Sequence, residues 1–415
     1  MPPVSRDIMP QAIDHSDMRG AAAGPLSLAL MDARNHTLHL LNVFEQALPR
    51  LQAAQRPAID PPGWLAGHLG WLAEYWIGRN PQRHLGPLCP ADTVRLASLD
   101  PRADACFDPS LMPRGQRWTA DLLDAQSLRT YLLETLESTL ELLEKAPPDD
   151  AGLYFFRMAL FHEDLRGEQF LAMAQALGVP VKLPLPTGLP VRGALQIPAG
   201  SWMLGMPPGG FVFDVEKWSH PVDVPEFEID AQPVNWSQYV EFAADGGYDD
   251  AQWWSPEGWA WLQAGSRRAP RHVDQIGAAS GAVMQTLFGR PTRRSGEQAA
   301  LHVSWWEADA WCRWAGRRLP TEVEWEMAAH VAGRRGFQWG EVHEWTAGLL
   351  RPWAGFAPDA WTRNTDLEAA PMFGKARVLR GASFATRARL KNPKGRGFAM
   401  PGRDDGFVGF RSCAL

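Results

Sequence analysis

The sequence predicts an α+β protein in two parts: a four-helix bundle over residues 25–178 and a loop-rich domain with few long elements over residues 197–415. Three observations carry this. Apolar residues recur at helical spacing in the first half and lose that period in the second. Prolines at 180, 184, 186, 190 and 198 interrupt the chain between the two. Most of the 20 tryptophans fall from Trp202 onward, as expected where aromatic packing replaces regular layers. The length, 415 residues, also exceeds what one small core organises.

Taken in order, residues 1–24 are rich in Pro, Ala and Gly and are expected to form a mobile N-terminus. From about Leu26 to Leu48, Leu30, Leu38, Leu41, Phe44 and Leu48 recur mostly at three- and four-residue steps, the stripe of a first helix. Pro61-Pro62 open a second helix, where a missing N–H costs nothing; it runs to about Ile77 and carries His68. Residues 80–120 are Pro/Gly/Asp-rich and read as an irregular connection that carries Arg114 and Arg117. Leu128, Leu132, Leu136, Leu140 and Leu143 place a third helix at about Ala125–Lys145, which Pro147-Pro148 end. A fourth runs from about Ala151 to Leu177. Residues 179–196 form an extended Pro-rich linker. Beyond it, short apolar runs alternate with Gly, Pro and Asp, and two helices stand out, at Trp305–Ala315 and about Thr321–Ala329.

Composition excludes some functions. A net charge of −6 argues against a general nucleic-acid or anionic-membrane binder. No apolar run approaches the roughly 20 residues of a membrane helix, and the N-terminus lacks a secretory pattern, so a cytoplasmic protein without a membrane partner is expected. Four scattered cysteines without a C-x-x-C pair fit a reduced compartment and give neither a zinc knuckle nor a disulfide scaffold.

The most informative stretch is Met158–Glu168. A helix turns about 100° per residue, so His162 and Arg166 lie one above the other on an apolar face. Two readings stay open from pattern alone. His162 is a satisfied core histidine, or, with His68 also facing inward from the second helix, it lines a metal or cofactor site of the kind bundles build.

Several phrases are shared with a known group. They include Ile197-Pro-Ala-Gly200, Pro233-Val-Asn235, Val303-Ser-Trp-Trp-Glu-Ala308, Arg317-Arg-Leu-Pro-Thr-Glu-Val-Glu-Trp-Glu326, Val378-Leu-Arg-Gly-Ala-Ser383 and Gly409-Phe-Arg411. On these the C-terminal half resembles the formylglycine-generating-enzyme-like domain, a C-type-lectin-like fold. The N-terminal half resembles a DinB-like bundle. Fused in this order, the two resemble the non-haem iron sulfoxide synthases of ergothioneine and ovothiol biosynthesis. Arg380–Arg389 and Arg403–Cys413 are most similar to the selenoneine synthase branch.

The resemblance implies Fe(II) and O2 as cofactor and oxidant, and hercynine joined at its imidazole to a selenosugar. A thiol donor in an ergothioneine-type synthase is one alternative; a metal-poor binding protein of the same fold is the other. It implies His68 and His162 as iron ligands, from a family set of one histidine on the second helix and an H-x-x-x-H-x-E motif. Here Arg166 replaces the third histidine and Leu165 replaces a substrate-contacting Gln, while Glu168 keeps the motif's final position. Arginine has no lone pair to donate. The resemblance also implies Phe398 as a substrate-pocket aromatic, with Arg114, Arg117 and Arg403 toward the donor. Asp404 and Asp405 offer carboxylates for sugar hydroxyls. The charges of Arg317–Glu326 are expected to pair internally. No catalytic acid or base and no oligomeric state is read from the sequence.

Overall fold

A computed structural model describes residues 13–56, 59–277 and 280–415. Of the N-terminal stretch expected to be mobile, residues 1–12 lie outside the described residues. Ser16–Gly20 forms a 3-10 turn and is packed rather than loose. Its Arg19 is buried and pairs with Glu216 at 2.6 Å.

Four long helices make the first half: α1 (Ala23–Ala47), α2 (Pro62–Ala73), α4 (Ala125–Glu144) and α5 (Asp150–Leu177), with a short α3 (Ala103–Phe107) in the connection. Their ends follow local chemistry. The Asp124 and Asp149 carboxylates accept from Ser127 N–H and Gly152 N–H, capping α4 and α5. Gly178 ends α5 in the left-handed conformation, which an unbranched Cα permits. Every residue of α2 is buried, and a π-helical turn, Glu74–Gly78, extends it. Tyr131 and Ser98 donate to the buried Glu74 carboxylate there.

Residues 179–194 have no regular structure. They are fixed where the Leu189 N–H donates to the Glu297 carbonyl. The second half then combines four small sheets with α6 (Trp236–Ala244), α7 (Pro256–Ala264), α8 (Trp305–Trp314) and α9 (Glu322–Val331). β1 (Leu195–Ile197) pairs antiparallel with β4 (Phe227–Ile229), and β2 (Gly200–Leu204) with β3 (His220–Val224). β5 (Val273–Gly277), β6 (Ala282–Leu287) and β7 (Arg290–Arg294) form an antiparallel meander. The largest sheet runs β10 (Arg396–Ala399), β9 (Arg377–Gly381), β8 (His343–Leu349), β11 (Val408–Phe410), with β11 parallel to β8.

So few layers leave charges to be paired one by one, and several are. Arg411 and Glu344, both fully buried, meet at 2.8 Å, and Trp325 Nε1–H donates to the same carboxylate. Arg318 meets Glu324 at 2.8 Å, and Arg317 meets Glu228 and Asp230. The Arg317–Glu326 motif therefore does hold internal ion pairs.

One apolar core runs through both halves. α5 is the common element, and its polar residues divide between two directions. Glu163 turns into the bundle, accepting from Arg34 at 2.8 and 3.0 Å and from Thr37 at 2.7 Å. Asp164 reaches Arg389 at 2.6 and 2.8 Å. Glu168 accepts from Ser383 (2.5 Å), Thr386 (2.6 Å) and the His343 ring (2.8 Å). Among the described residues no helix is long and apolar enough to cross a membrane.

Candidate functional site

Two helices bring His68 and His162 together, with ring centroids 5.5 Å apart and both side chains buried. The placement of His68 starts at Gly67. A Cβ there would meet the Phe107 ring at 2.1 Å, so only glycine lets α3 come this close. The Phe107 carbonyl then accepts from His68 Nδ1–H at 3.0 Å. That bond fixes the tautomer and leaves Nε2 with a lone pair, buried and without a partner. Trp64 stacks on the ring at 4.8 Å and Trp71 at 5.6 Å.

On α5, His162 Nε2 accepts from Arg166 Nε–H at 3.1 Å, one turn on. The buried guanidinium also donates from Nη1 to Gln169 Oε1 at 2.6 Å and to the Asp366 carboxylate at 2.7 and 3.0 Å. Asp366 belongs to a turn of the second half that lies over the site. The turn braces itself: Thr362 and Thr365 hydroxyls donate to the Asp359 and Thr362 carbonyls, and Asn364 N–H to Glu368. Its Trp361 packs edge-on to His162 at 6.0 Å and donates to the Tyr154 hydroxyl.

Burial, and then the Arg166 charge, hold both imidazoles neutral: His68 is pushed down to about 3 and His162 well below the ordinary histidine value. Arg117 lies 3.4 Å over the Trp64 ring and pairs with Asp60 at 2.9 Å; Arg114 meets the same carboxylate at 3.3 Å. The structure thus places Arg117 one aromatic ring away from His68, with Arg114 on the far side of their shared Asp60. A cleft of about 830 Å³ adjoins Arg117, between the end of α1 and residues 117–126, and includes neither histidine.

Fe(II) fits these residues only in part. His68 has the tautomer and the free lone pair of a ligand. His162 does not, because its lone pair is taken by a permanent cation. Among the described residues no three His, Cys, Asp or Glu side chains gather as a metal group. Glu168 is committed to His343, Ser383 and Thr386, and His84 lies in a separate cleft with Lys145 and Pro147. A three-ligand iron centre therefore does not fit the site with Arg166 in place.

Comparison with known proteins places the chain. The sulfatase-modifying factor enzyme 1-like domain family matches residues 183–341. Over 430 residues the chain is 32% identical to the hercynine oxygenase of Mycolicibacterium smegmatis, covering 91% of this chain and 96% of the relative. The chain belongs to the hercynine oxygenase family. The Mycobacterium tuberculosis member is 30% identical over 440 residues, 93% of this chain and 97% of that one. A formylglycine-generating enzyme of Streptomyces coelicolor is 28% identical over 290 residues, 54% of this chain and 89% of that one.

The remaining positions singled out from the sequence lie elsewhere in this family member. Phe398, on β10 opposite Val378, packs on a small cluster with Val215, Leu350 and Ala376. Phe213 joins that cluster to Trp361, at 6.1 Å, and so to His162. Arg403 pairs with Asp405 at 2.6 and 3.1 Å. Asp404 is 2% exposed and held by Arg267 and Arg271, so it braces its segment instead of presenting a carboxylate to a sugar. Leu165 is only partly buried and brings no polar group. The sequence reading did not single out Asp366, Trp361 or Gln169. Gln169 lies one turn beyond Arg166 and was legible as its neighbour; Asp366 is 200 residues from Arg166 and had no local signal.

Proposed function

We propose that this chain acts on hercynine, joining a chalcogen donor to its imidazole carbon at the expense of O2. The observation that supports this most is the end-to-end likeness to relatives named hercynine oxygenases, with His68 kept on the second helix in a ligand-competent tautomer. In this reading the protein is a cytoplasmic enzyme. A DinB-like bundle (25–178) and a C-type-lectin-like domain (197–415) enclose the substrates, and the donor is a selenosugar. A thiol donor is the ergothioneine-type alternative. Trp71 and Trp361 offer aromatic surface for a trimethylammonium group. Arg114 and Arg117 suit anionic or hydroxylated donor groups.

Joining C–H to Se–H or S–H removes two electrons, which O2 accepts. Fe(II) is the cofactor this reading names, to activate O2, with His68 and His162 nearest to ligand positions. Arg166 stands on His162 Nε2, so that lone pair is not open to it. That same contact favours a second reading, hercynine binding without turnover. The test is mass-spectrometric product analysis after anaerobic Fe(II) loading and O2 exposure, with hercynine plus selenosugar, γ-glutamylcysteine or cysteine. A C–Se product supports the first reading. Product only from a thiol refutes the selenosugar donor. Bound hercynine with no product from any donor supports the second.

A further inference from the structure

Three acceptors converge on the Arg166 guanidinium from two halves of the protein: His162 Nε2 at 3.1 Å, Gln169 Oε1 at 2.6 Å and the Asp366 carboxylate at 2.7 Å. A fourth, His68 Nε2, is buried beside them without a partner. Nitrogen and oxygen lone pairs gathered around a buried positive charge are what a metal centre provides. Here the charge is covalently tethered. A guanidinium donates only, accepts nothing and stays protonated, so it cannot share His162 Nε2 with a metal or yield by losing a proton. A dication at that lone pair would have to displace a hydrogen bond and stand against a permanent cation in a buried site.

We propose that Arg166 is a resident cation filling the metal position of this site. The chain therefore loads no divalent metal there as it stands, and removing the guanidinium frees the His162 lone pair beside the unpartnered lone pair of His68. Two imidazoles with open positions suit Fe(II), Co(II) and Zn(II). This inference concerns occupancy of the site: for the chain as it stands it removes the metal-dependent turnover of the first reading and leaves the second, while hercynine recognition stands or falls separately.

The experiment is anaerobic titration of the full-length chain with Co(II), read by visible d–d absorption and by metal content after desalting, alongside calorimetry with hercynine. The wild type should show no d–d bands. Arg166→Ala should bind about one Co(II) per chain with bands typical of mixed nitrogen and oxygen ligation. Adding His162→Ala should abolish that binding. Arg166→Lys keeps a tethered cation and should stay metal-free. Bands in the wild type that vanish in His162→Ala overturn the proposal, and that arm needs no Arg166 variant to fold. So does an Arg166→Ala protein that melts like the wild type yet takes up no Co(II). Hercynine binding by the wild type without Co(II) binding supports the proposal and keeps the proposed substrate. Absence of hercynine binding counts against the substrate alone.

Discussion

Replacing Glu168 by Gln should loosen the two halves of this protein from each other, with a characteristic pH dependence. Glu168 leaves α5 to accept from Ser383, Thr386 and His343, all in the second half. Burial pushes its carboxyl up, but the His343 charge and these hydrogen bonds outweigh that and bring it from 4.5 to about 2. The shift corresponds to about 3 kcal/mol. Because the folded value lies below the unfolded one, this share of stability is present above pH 4.5 and is lost as pH falls toward 2. His343 is opposite in sign. Its pKa is raised despite burial, by the Glu168 charge, so its share is present below 6.5 and lost as pH rises past the raised value. The anchor is therefore strongest between about pH 4.5 and 6.5. Urea unfolding of wild type and Glu168→Gln at pH 6 and pH 3 should differ by about 2–3 kcal/mol at pH 6 and by much less at pH 3. Equal stability at pH 6, or the same gap at both pH values, would refute the reasoning.

Other perturbations follow from the same contacts. Gly67→Ala drives a methyl into the Phe107 ring and should cost about 1–3 kcal/mol by thermal or urea unfolding; an unchanged midpoint contradicts the close approach of α3. Asp404→Asn should lower stability by about 1–3 kcal/mol, because Arg267 and Arg271 lose their shared partner, while leaving the hercynine dissociation constant unchanged in calorimetry. Glu344→Gln breaks a fully buried pair and leaves Arg411 uncompensated, for a loss of about 3–5 kcal/mol; a variant as stable as the wild type counts against that pair being buried and direct.

The bundle was legible because its helices carry long apolar stripes and clear stops: α4 and α5 end within a residue or two of where Leu128–Leu143 and Gly178 place them. α6 and α7 were missed. Each has nine residues, too short for a periodic stripe. Only their caps gave a signal, the Asn235–Gln238 capping box and Ser255 before Pro256. Within the site, the pairing of His68 with His162 was legible from helix faces and family likeness. The partner of Arg166 was not, since Asp366 reaches it only through tertiary folding. Asp404 and Asp405 show the same limit: adjacent in sequence, one is buried against Arg267 and Arg271 while its neighbour pairs with Arg403. No local pattern separates two such carboxylates.

The occupancy of the His68–His162 site is tested most directly by the metal content of the full-length protein after anaerobic incubation with Fe(II) and desalting, beside Arg166→Ala treated identically. Arg166 as the resident cation predicts wild type near zero and the variant near one iron per chain. One iron per wild-type chain, lost in His162→Ala, would contradict it.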